Sequence, residues 1–225
     1  GAAMKKIILK SGVAVPAIGQ GTWKIGDRPD KRDQEITALR TGIEQGMTLI
    51  DTAEMYGGGR AEELVAEAIR GYDREKLYLV SKVYPFNAGR KNIFKSCENS
   101  LRRMGTDYMD LYLLHQPYGD VAGAWKALEE AKKAGKIKSI GVSNMSPKIW
   151  QNLVPHFETL PAVNQVECNP FFQQRELRKI LDPLHVKLEA WYPLGHGDKS
   201  LIEEPVFTEL GKKYGKTPAQ IVLRW

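Results

Sequence analysis

The chain has 225 residues and a mass of 25.3 kDa, with 42% hydrophobic and 27% charged residues. This mixture is typical of a globular protein with one large core, and it excludes the disordered and fibrous classes. No apolar run approaches the roughly 20 residues of a membrane helix, and no secretory leader opens the chain. We therefore expect a cytoplasmic protein without a membrane partner, in which residues 1–3 are a cloning remnant.

The net charge of +6 and the isoelectric point near 9.2 favour an anionic ligand. Basic and acidic residues alternate along the helical stretches, as on solvated helix faces, so we expect no nucleic-acid partner. A phosphorylated cofactor fits the charge equally well. Cys97 and Cys168 belong to no metal-binding motif and are expected to be reduced core residues.

Short apolar runs around Ser11 and Gly12 predict an N-terminal β-hairpin over residues 6–16, which would cap the fold. Helical and strand-like segments then alternate along the chain. The predicted helices are 33–45, 61–70, 90–104, 121–134, 147–154, 173–181 and 217–225. The predicted strands begin at Ile18 and continue with 47–50, 77–80, 109–114, 137–142, 162–166 and 186–191.

These strands are nearly apolar, as strands covered on both faces should be, and they begin roughly 25 to 35 residues apart. No linker interrupts them, which indicates one parallel sheet in one domain over residues 1–225. The segment Gly19-Gln20-Gly21 does not lead into a helix, so an open dinucleotide-binding sheet is disfavoured. The pattern favours a (β/α)₈ barrel, of which seven strands are recognisable and the eighth is absent.

Ionisable residues lie at the ends of three consecutive predicted strands. Asp51 ends the second strand, Lys82 the third and His115 the fourth, and Tyr56 follows on the first of these loops. In a barrel the carboxyl ends of the strands form the active-site face, so these four side chains should converge. Each one alone is more commonly a cap or a solvated residue, but the coincidence of four favours catalysis.

Together these residues can deliver a proton. An ammonium group at Lys82 would lower the pKa of the Tyr56 phenol, and Asp51 would keep that ammonium charged. His115 could orient or polarise a substrate oxygen. The set lacks both a nucleophile with its own base and a metal-ligand cluster, which disfavours hydrolysis and metal catalysis. A hydride donor would complete the reaction.

The residues resemble the aldo-keto reductases, NAD(P)H-dependent oxidoreductases built on a (β/α)₈ barrel. The similarity covers nearly the whole chain and is carried by the segments 51–56, 81–82 and 113–117. It implies Tyr56 as general acid, Lys82 and Asp51 as the partners that set its pKa, and His115 as the residue that orients the substrate. It also implies NADPH as cofactor, with NADH as an alternative, and a small carbonyl compound as substrate.

The same resemblance implies further contacts. The segments 141–144 and 164–167 correspond to the nicotinamide-carboxamide contacts, and the residues around 191–195 to the ring-stacking and pyrophosphate contacts. The implied cofactor residues are Ser143, Asn144, Gln165, Trp191, Leu194 and Gly195. Trp23 and Tyr84 would face the substrate, whereas we interpret Trp125 as a helix residue that packs on the barrel.

In the family the chain continues beyond Trp225 into an eighth strand and further helices. The part up to Leu114 resembles methylglyoxal-reductase-like members, and the part from His115 onward resembles 2,5-diketogluconate-reductase-like members, as in a recombined chain. We expect a monomer that reduces aldehydes or ketones. Two alternatives stay open, which are a cofactor-bound regulatory protein like the potassium-channel β subunits and a Schiff-base aldolase that uses Lys82.

Overall fold

The computed structural model describes residues 6–8, 14–16, 18–85, 90–167, 175–193 and 221–224. The helices in this part of the chain are α1 (Arg32–Glu44), α2 (Arg60–Ile69), α3 (Arg90–Met104), α4 (Val121–Lys133), α5 (Pro147–Leu153) and α6 (Arg175–Leu181). The strands are β1 (Lys6–Ile8), β2 (Ala14–Pro16), β3 (Ile18–Gly21), β4 (Leu49–Asp51), β5 (Tyr78–Val83), β6 (Met109–Leu114), β7 (Ile137–Ser143), β8 (Val163–Glu167), β9 (Lys187–Pro193) and β10 (Ile221–Arg224).

Strands β3 to β9 are neighbours in chain order, and each pairs in parallel with the next. Together with β10 they form a closed barrel, and β1 and β2 form a separate antiparallel hairpin. The predicted barrel and the predicted hairpin are therefore confirmed. The predicted helices from 33–45 to 147–154 are also present, with ends that differ by one residue at most.

The prediction of a helix over residues 217–225 is wrong for 221–224, and the other residues of that segment lie outside the described part of the chain. Residues 221–224 form β10, which pairs antiparallel with both β3 and β9 and occupies the eighth position of the barrel. The expectation that the chain contains no eighth strand is therefore also wrong. The edges of β3 and β9 offer unpaired backbone groups, and the backbone of residues 221–224 pairs with both edges. Here tertiary pairing overrides the local helical pattern.

The apolar core lies between the outer face of the barrel and its helices. A larger cluster joins β5 to β9 with α3 to α6 and includes Tyr112, Leu128 and Trp150. A smaller cluster joins β4 and β5 with α1 and α2 around Leu39 and Val65. Because side chains alternate along a strand, the residues between these outward-facing ones point into the barrel.

The barrel interior carries four buried polar residues that contact one another. They are Asp51 on β4, Lys82 on β5, Gln165 on β8 and Glu189 on β9. Lys82 lies within β5 rather than after it, because β5 extends to Val83. Buried charged groups require partners, so these residues indicate where the fold holds its functional site.

Candidate active site

Asp51 and Lys82 form a buried ion pair inside the barrel. Asp51 is 4% exposed and Lys82 is 1% exposed, and Lys82 Nζ donates to Asp51 Oδ1. Lys82 Nζ also donates to the backbone oxygen of Thr52 at 2.9 Å. A buried ammonium is stable only when its hydrogens are taken up by acceptors, and the end of β4 supplies two of them.

Tyr56 approaches this pair from the loop that follows β4. Its hydroxyl lies 3.4 Å from Lys82 Nζ, and the Lys82 ammonium is 5.1 Å from the centre of the Tyr56 ring. Gly57, Gly58 and Gly59 follow it with φ values of +60°, +64° and +98°. Such left-handed conformations favour glycine, and they let the chain turn sharply into α2. This turn sets the direction of the Tyr56 side chain.

The net pKa of Tyr56 is raised, although Lys82 lowers it as expected. Burial of the phenol raises the pKa most, and the Lys82 charge opposes that effect without cancelling it. Burial lowers the pKa of Lys82, but Asp51 and Tyr56 outweigh burial and the net shift is upward. The phenol and the ammonium are therefore both protonated at neutral pH.

His115 follows β6, beside Tyr56 and Tyr84. The ring of His115 stacks on Tyr84 with 4.7 Å between centroids and meets Tyr56 edge-on at 5.8 Å. Burial and the nearby Lys82 charge lower the pKa of His115 to about 3, so the imidazole is neutral at physiological pH. Its Nδ1 is buried and has no hydrogen-bond partner among the described residues. The imidazole is thus available to a ligand.

Ser143, Asn144 and Gln165 lie side by side at the ends of β7 and β8. Ser143 pairs with Gln165 in the sheet register, and the backbone nitrogen of Asn144 donates to the Gln165 oxygen at 2.8 Å. Asn144 Nδ2 donates to the backbone oxygen of His115 at 3.0 Å. In the part of the chain that the structure describes, the buried Ser143 Oγ has no partner. An unsatisfied hydroxyl between two amides fits a carboxamide, which both donates and accepts.

The other predicted contacts are placed less completely. Trp23 follows β3, is 39% exposed and carries the Lys24 ammonium 4.7 Å from its ring centre. Trp191 lies on β9 by its backbone, and Leu194 and Gly195 lie outside the described residues. Trp125 lies on α4, is 1% exposed and stacks on Phe157 at 4.8 Å. It belongs to the core cluster between the helices and the barrel, which confirms that it is a packed helix residue.

Glu189 is a buried residue that sequence reasoning missed. It lies directly opposite Gln165 in the register of β8 and β9, is 0% exposed and accepts a hydrogen bond from Gln165 Nε2. The same Nε2 donates to Asp51 Oδ2 at 2.7 Å. Burial and the Asp51 charge raise the pKa of Glu189 to about 8. A single acidic residue within an apolar strand was the sequence signal that could have found it.

A second missed group lies behind the Tyr56 loop. Glu62 on α2 is 0% exposed, accepts from Ser81 Oγ at 2.8 Å and forms an ion pair with Arg103 at 2.7 Å. A Cβ on Gly59 would lie 3.0 Å from the Arg103 side chain, so the loop packs closely against this ion pair. The network joins α2, α3 and β5, and it supports the turn from which Tyr56 projects.

Two features are absent from the part of the chain that the structure describes. No group of three or more His, Cys, Asp or Glu side chains is placed to hold a metal ion there. In the same part of the chain, no helix has the length and apolarity required to span a bilayer.

Comparison with known proteins places this geometry in a family. The model of the aldo/keto reductase family matches residues 17–225. The chain belongs to the aldo/keto reductase family. It is 41% identical over 238 residues to the protein named methylglyoxal reductase YeaE of Escherichia coli strain K12, across 98% of this chain and 80% of that protein. Methylglyoxal reductase DkgA of the same strain is 36% identical over 224 residues, across 97% of this chain and 78% of that protein.

The fold agrees as well. The crystal structure of an aldo/keto reductase from Klebsiella pneumoniae in complex with NADP and acetate matches with a TM-score of 0.79 and 39% identity, across 96% of this chain and 79% of that one. This aldo/keto reductase is therefore an NADP-dependent oxidoreductase that reduces carbonyl groups of small molecules, as the sequence resemblance implied. The alignment with YeaE covers 98% of this chain. It therefore runs across the predicted junction between Leu114 and His115.

Proposed function

We propose that this reductase converts small 2-oxoaldehydes of the methylglyoxal type to hydroxyketones, with Tyr56 as the proton donor. The observation that carries the proposal is the short chain of contacts from Asp51 to Lys82 to the Tyr56 hydroxyl, in which the last step is 3.4 Å. Two relatives that span nearly the whole chain are named methylglyoxal reductase, which supports the substrate class.

In this mechanism Tyr56 remains protonated until it donates its proton to the carbonyl oxygen. Its raised pKa keeps the phenol protonated at neutral pH. When the oxygen takes the proton, the phenolate left behind lies next to the Lys82 ammonium, which stabilises it most strongly at that moment. Asp51 keeps Lys82 charged throughout, so the ammonium is in place before the phenolate forms.

His115 orients the carbonyl oxygen in the proposal. A neutral imidazole donates one N–H and accepts at its other nitrogen, so His115 can donate to the oxygen without protonating it. The lowered pKa of His115 supports this neutral form. Stacking on Tyr84 holds the His115 ring in place. The imidazole and the Tyr56 hydroxyl can therefore both form hydrogen bonds to the substrate carbonyl oxygen.

Ser143, Asn144 and Gln165 would hold the carboxamide of the nicotinamide, with Trp191, Leu194 and Gly195 at the ring and pyrophosphate. When bound, NADPH supplies the hydride that reaches the carbonyl carbon. Trp23 and Tyr84 would line the substrate side of the pocket. Trp23 follows β3 and Tyr84 follows β5, on the barrel face that also carries Tyr56.

The geometry argues against the Schiff-base alternative. A nucleophilic lysine must lose its proton, whereas Asp51 and Tyr56 raise the pKa of Lys82 and keep it charged. After borohydride treatment in the presence of an aldehyde, peptide mass spectrometry should find the peptide that contains Lys82 unmodified, and a stable adduct on Lys82 would contradict this part of the proposal.

The substrate class is tested by NADPH oxidation with matched carbonyl compounds. We expect methylglyoxal to give a higher kcat/KM than both acetone, which lacks the aldehyde, and a 2,5-diketo sugar acid, which is larger and charged. NADH in place of NADPH tests the cofactor preference in the same assay. Equal rates with all three compounds would reject the 2-oxoaldehyde class, and no oxidation with any carbonyl would reject the reductase mechanism.

We also propose that the protein acts as a cytoplasmic monomer that does not bind nucleic acid. The interleaving of acidic with basic residues supports the absence of a nucleic-acid partner, because it leaves no long basic run. Light scattering after gel filtration should give a mass near 25.3 kDa. A mass twice as large would contradict the monomer.

A further inference from the structure

Gln165 uses both hydrogens of its side-chain amide inside the barrel. Nε2 donates to Asp51 Oδ2 at 2.7 Å on one side and to Glu189 Oε1 on the other. A primary amide has two N–H donors and one carbonyl acceptor. With both donors used, Gln165 can offer a further ligand only its carbonyl oxygen Oε1.

Glu189 is positioned to make this arrangement rigid. It is the direct partner of Gln165 across β8 and β9, and it is fully buried. Its second oxygen, Oε2, has no partner in the described part of the chain. The groups that face it there include Asp51 on β4 with Lys82 and Tyr78 on β5, of which Asp51 and Lys82 already form an ion pair. A neutral carboxylic acid at Glu189 therefore leaves the charges in the barrel balanced.

We propose that Glu189 is a positioning residue of the reductase, which together with Asp51 holds the Gln165 amide so that its carbonyl oxygen faces the cofactor. The proposal rests on the proposed role of Gln165 as a carboxamide contact. Without Glu189 one amide hydrogen is released, and the amide can rotate to present its NH₂ group to a ligand. The nicotinamide carboxamide would then meet a donor where it needs an acceptor.

Two substitutions separate this role from simple packing. Glu189→Leu removes the acceptor but keeps an apolar side chain of similar size, whereas Glu189→Gln keeps an oxygen that accepts from Gln165 Nε2. Glu129→Leu is the matched control, because Glu129 is another buried glutamate, 7% exposed, on the outer helix α4. Urea unfolding of each variant shows that it is folded, and Glu189→Met provides a second apolar replacement if leucine lowers the stability.

The main measurement is the dissociation constant of NADPH from quenching of tryptophan fluorescence, which requires no turnover. We expect Glu189→Leu to weaken NADPH about tenfold, equivalent to about 1.4 kcal/mol, while Glu189→Gln and Glu129→Leu stay within about twofold of the wild type. The KM for NADPH should rise in parallel in Glu189→Leu, and kcat at saturating NADPH should change less than threefold, because Asp51 still binds Lys82 through its other oxygen.

Unchanged NADPH affinity in Glu189→Leu would overturn the proposal. So would an equal loss in Glu189→Leu and Glu189→Gln, since the glutamine accepts the same hydrogen bond. If the wild-type protein binds NADPH but reduces no carbonyl compound, the proposed function fails, and the affinities of the variants still decide whether Glu189 positions Gln165.

Discussion

Two halves of the barrel interior differ in how their polar groups are satisfied. On the side of β4 and β5, the charges of Asp51 and Lys82 neutralise each other and lie beside Tyr56. Across β7, β8 and β9, the row formed by Ser143, Gln165 and Glu189 contains two buried oxygens without partners among the described residues. The first side holds a neutralised ion pair beside a phenol, which suits proton transfer, whereas the second presents oxygens next to the Gln165 amide, which suits a ligand.

The largest effect should follow from removing one partner of the ion pair on the first side. Lys82→Met leaves the Asp51 carboxylate buried without its counter-charge, so we expect a loss of about 3–5 kcal/mol in the free energy of unfolding, together with loss of turnover. Urea titration and steady-state NADPH oxidation measure the two losses. Lys24→Met, at a position outside the barrel, is the control and should change stability by less than about 0.5 kcal/mol. A Lys82→Met protein as stable as the wild type would show that the pair is not buried as described.

Smaller effects should follow when two buried serines, one on each side, are replaced by alanine in turn. Ser143 Oγ has no partner in the described residues, whereas Ser81 Oγ donates to Glu62 at 2.8 Å. We expect Ser143→Ala to keep the free energy of unfolding within about 0.5 kcal/mol and to weaken NADPH by roughly five- to tenfold.

Ser81→Ala should do the reverse. It removes a donor from the buried Glu62 carboxylate, so we expect it to lose about 1–3 kcal/mol of stability and to keep its affinity for NADPH. The same effect of both substitutions on NADPH affinity would remove the distinction between the two sides.

The smallest effect concerns the ionisation of His115. Its pKa is about 3 in the folded protein against an ordinary value of 6.5, because burial and Lys82 disfavour the charged form. Between these values the unfolded chain binds the proton and the folded protein does not, so this contribution to stability is lost as the pH falls from 6.5 toward 3. His115→Gln removes that titration.

The stability of His115→Gln relative to the wild type should therefore rise between pH 7 and pH 4, as measured by urea unfolding at each pH. All other titratable groups are the same in both proteins, so their contributions cancel in the comparison. A difference that is constant with pH would contradict the lowered pKa.

The comparison also shows what sequence reasoning can and cannot reach. Asp51, Lys82 and His115 were predictable because parallel strands bring their carboxyl ends to one face, whatever the details of packing. Glu189 was not, because its importance depends on the register that places it opposite Gln165. The net direction of the Tyr56 pKa depends on a balance between burial and charge that only the folded geometry determines.

The elements of the fold also differ in whether the sequence could predict them. The βα units were visible because apolar strands and helix boundaries are local signals. The antiparallel strand β10 was missed because residues 221–224 pair with β3 and β9, which lie far apart from each other in the chain, so the pairing leaves no local signal.

The central claim is that Tyr56 donates the proton while the β7 to β9 row binds the cofactor, and Tyr56→Phe tests it most directly. We expect kcat with methylglyoxal to fall by roughly 10²- to 10⁴-fold, the usual contribution of a general acid, with the dissociation constant of NADPH within about twofold of the wild type. Tyr72→Phe, whose hydroxyl binds Glu44 at 2.6 Å outside the site, should retain full turnover. A Tyr56→Phe protein with wild-type kcat would contradict the account.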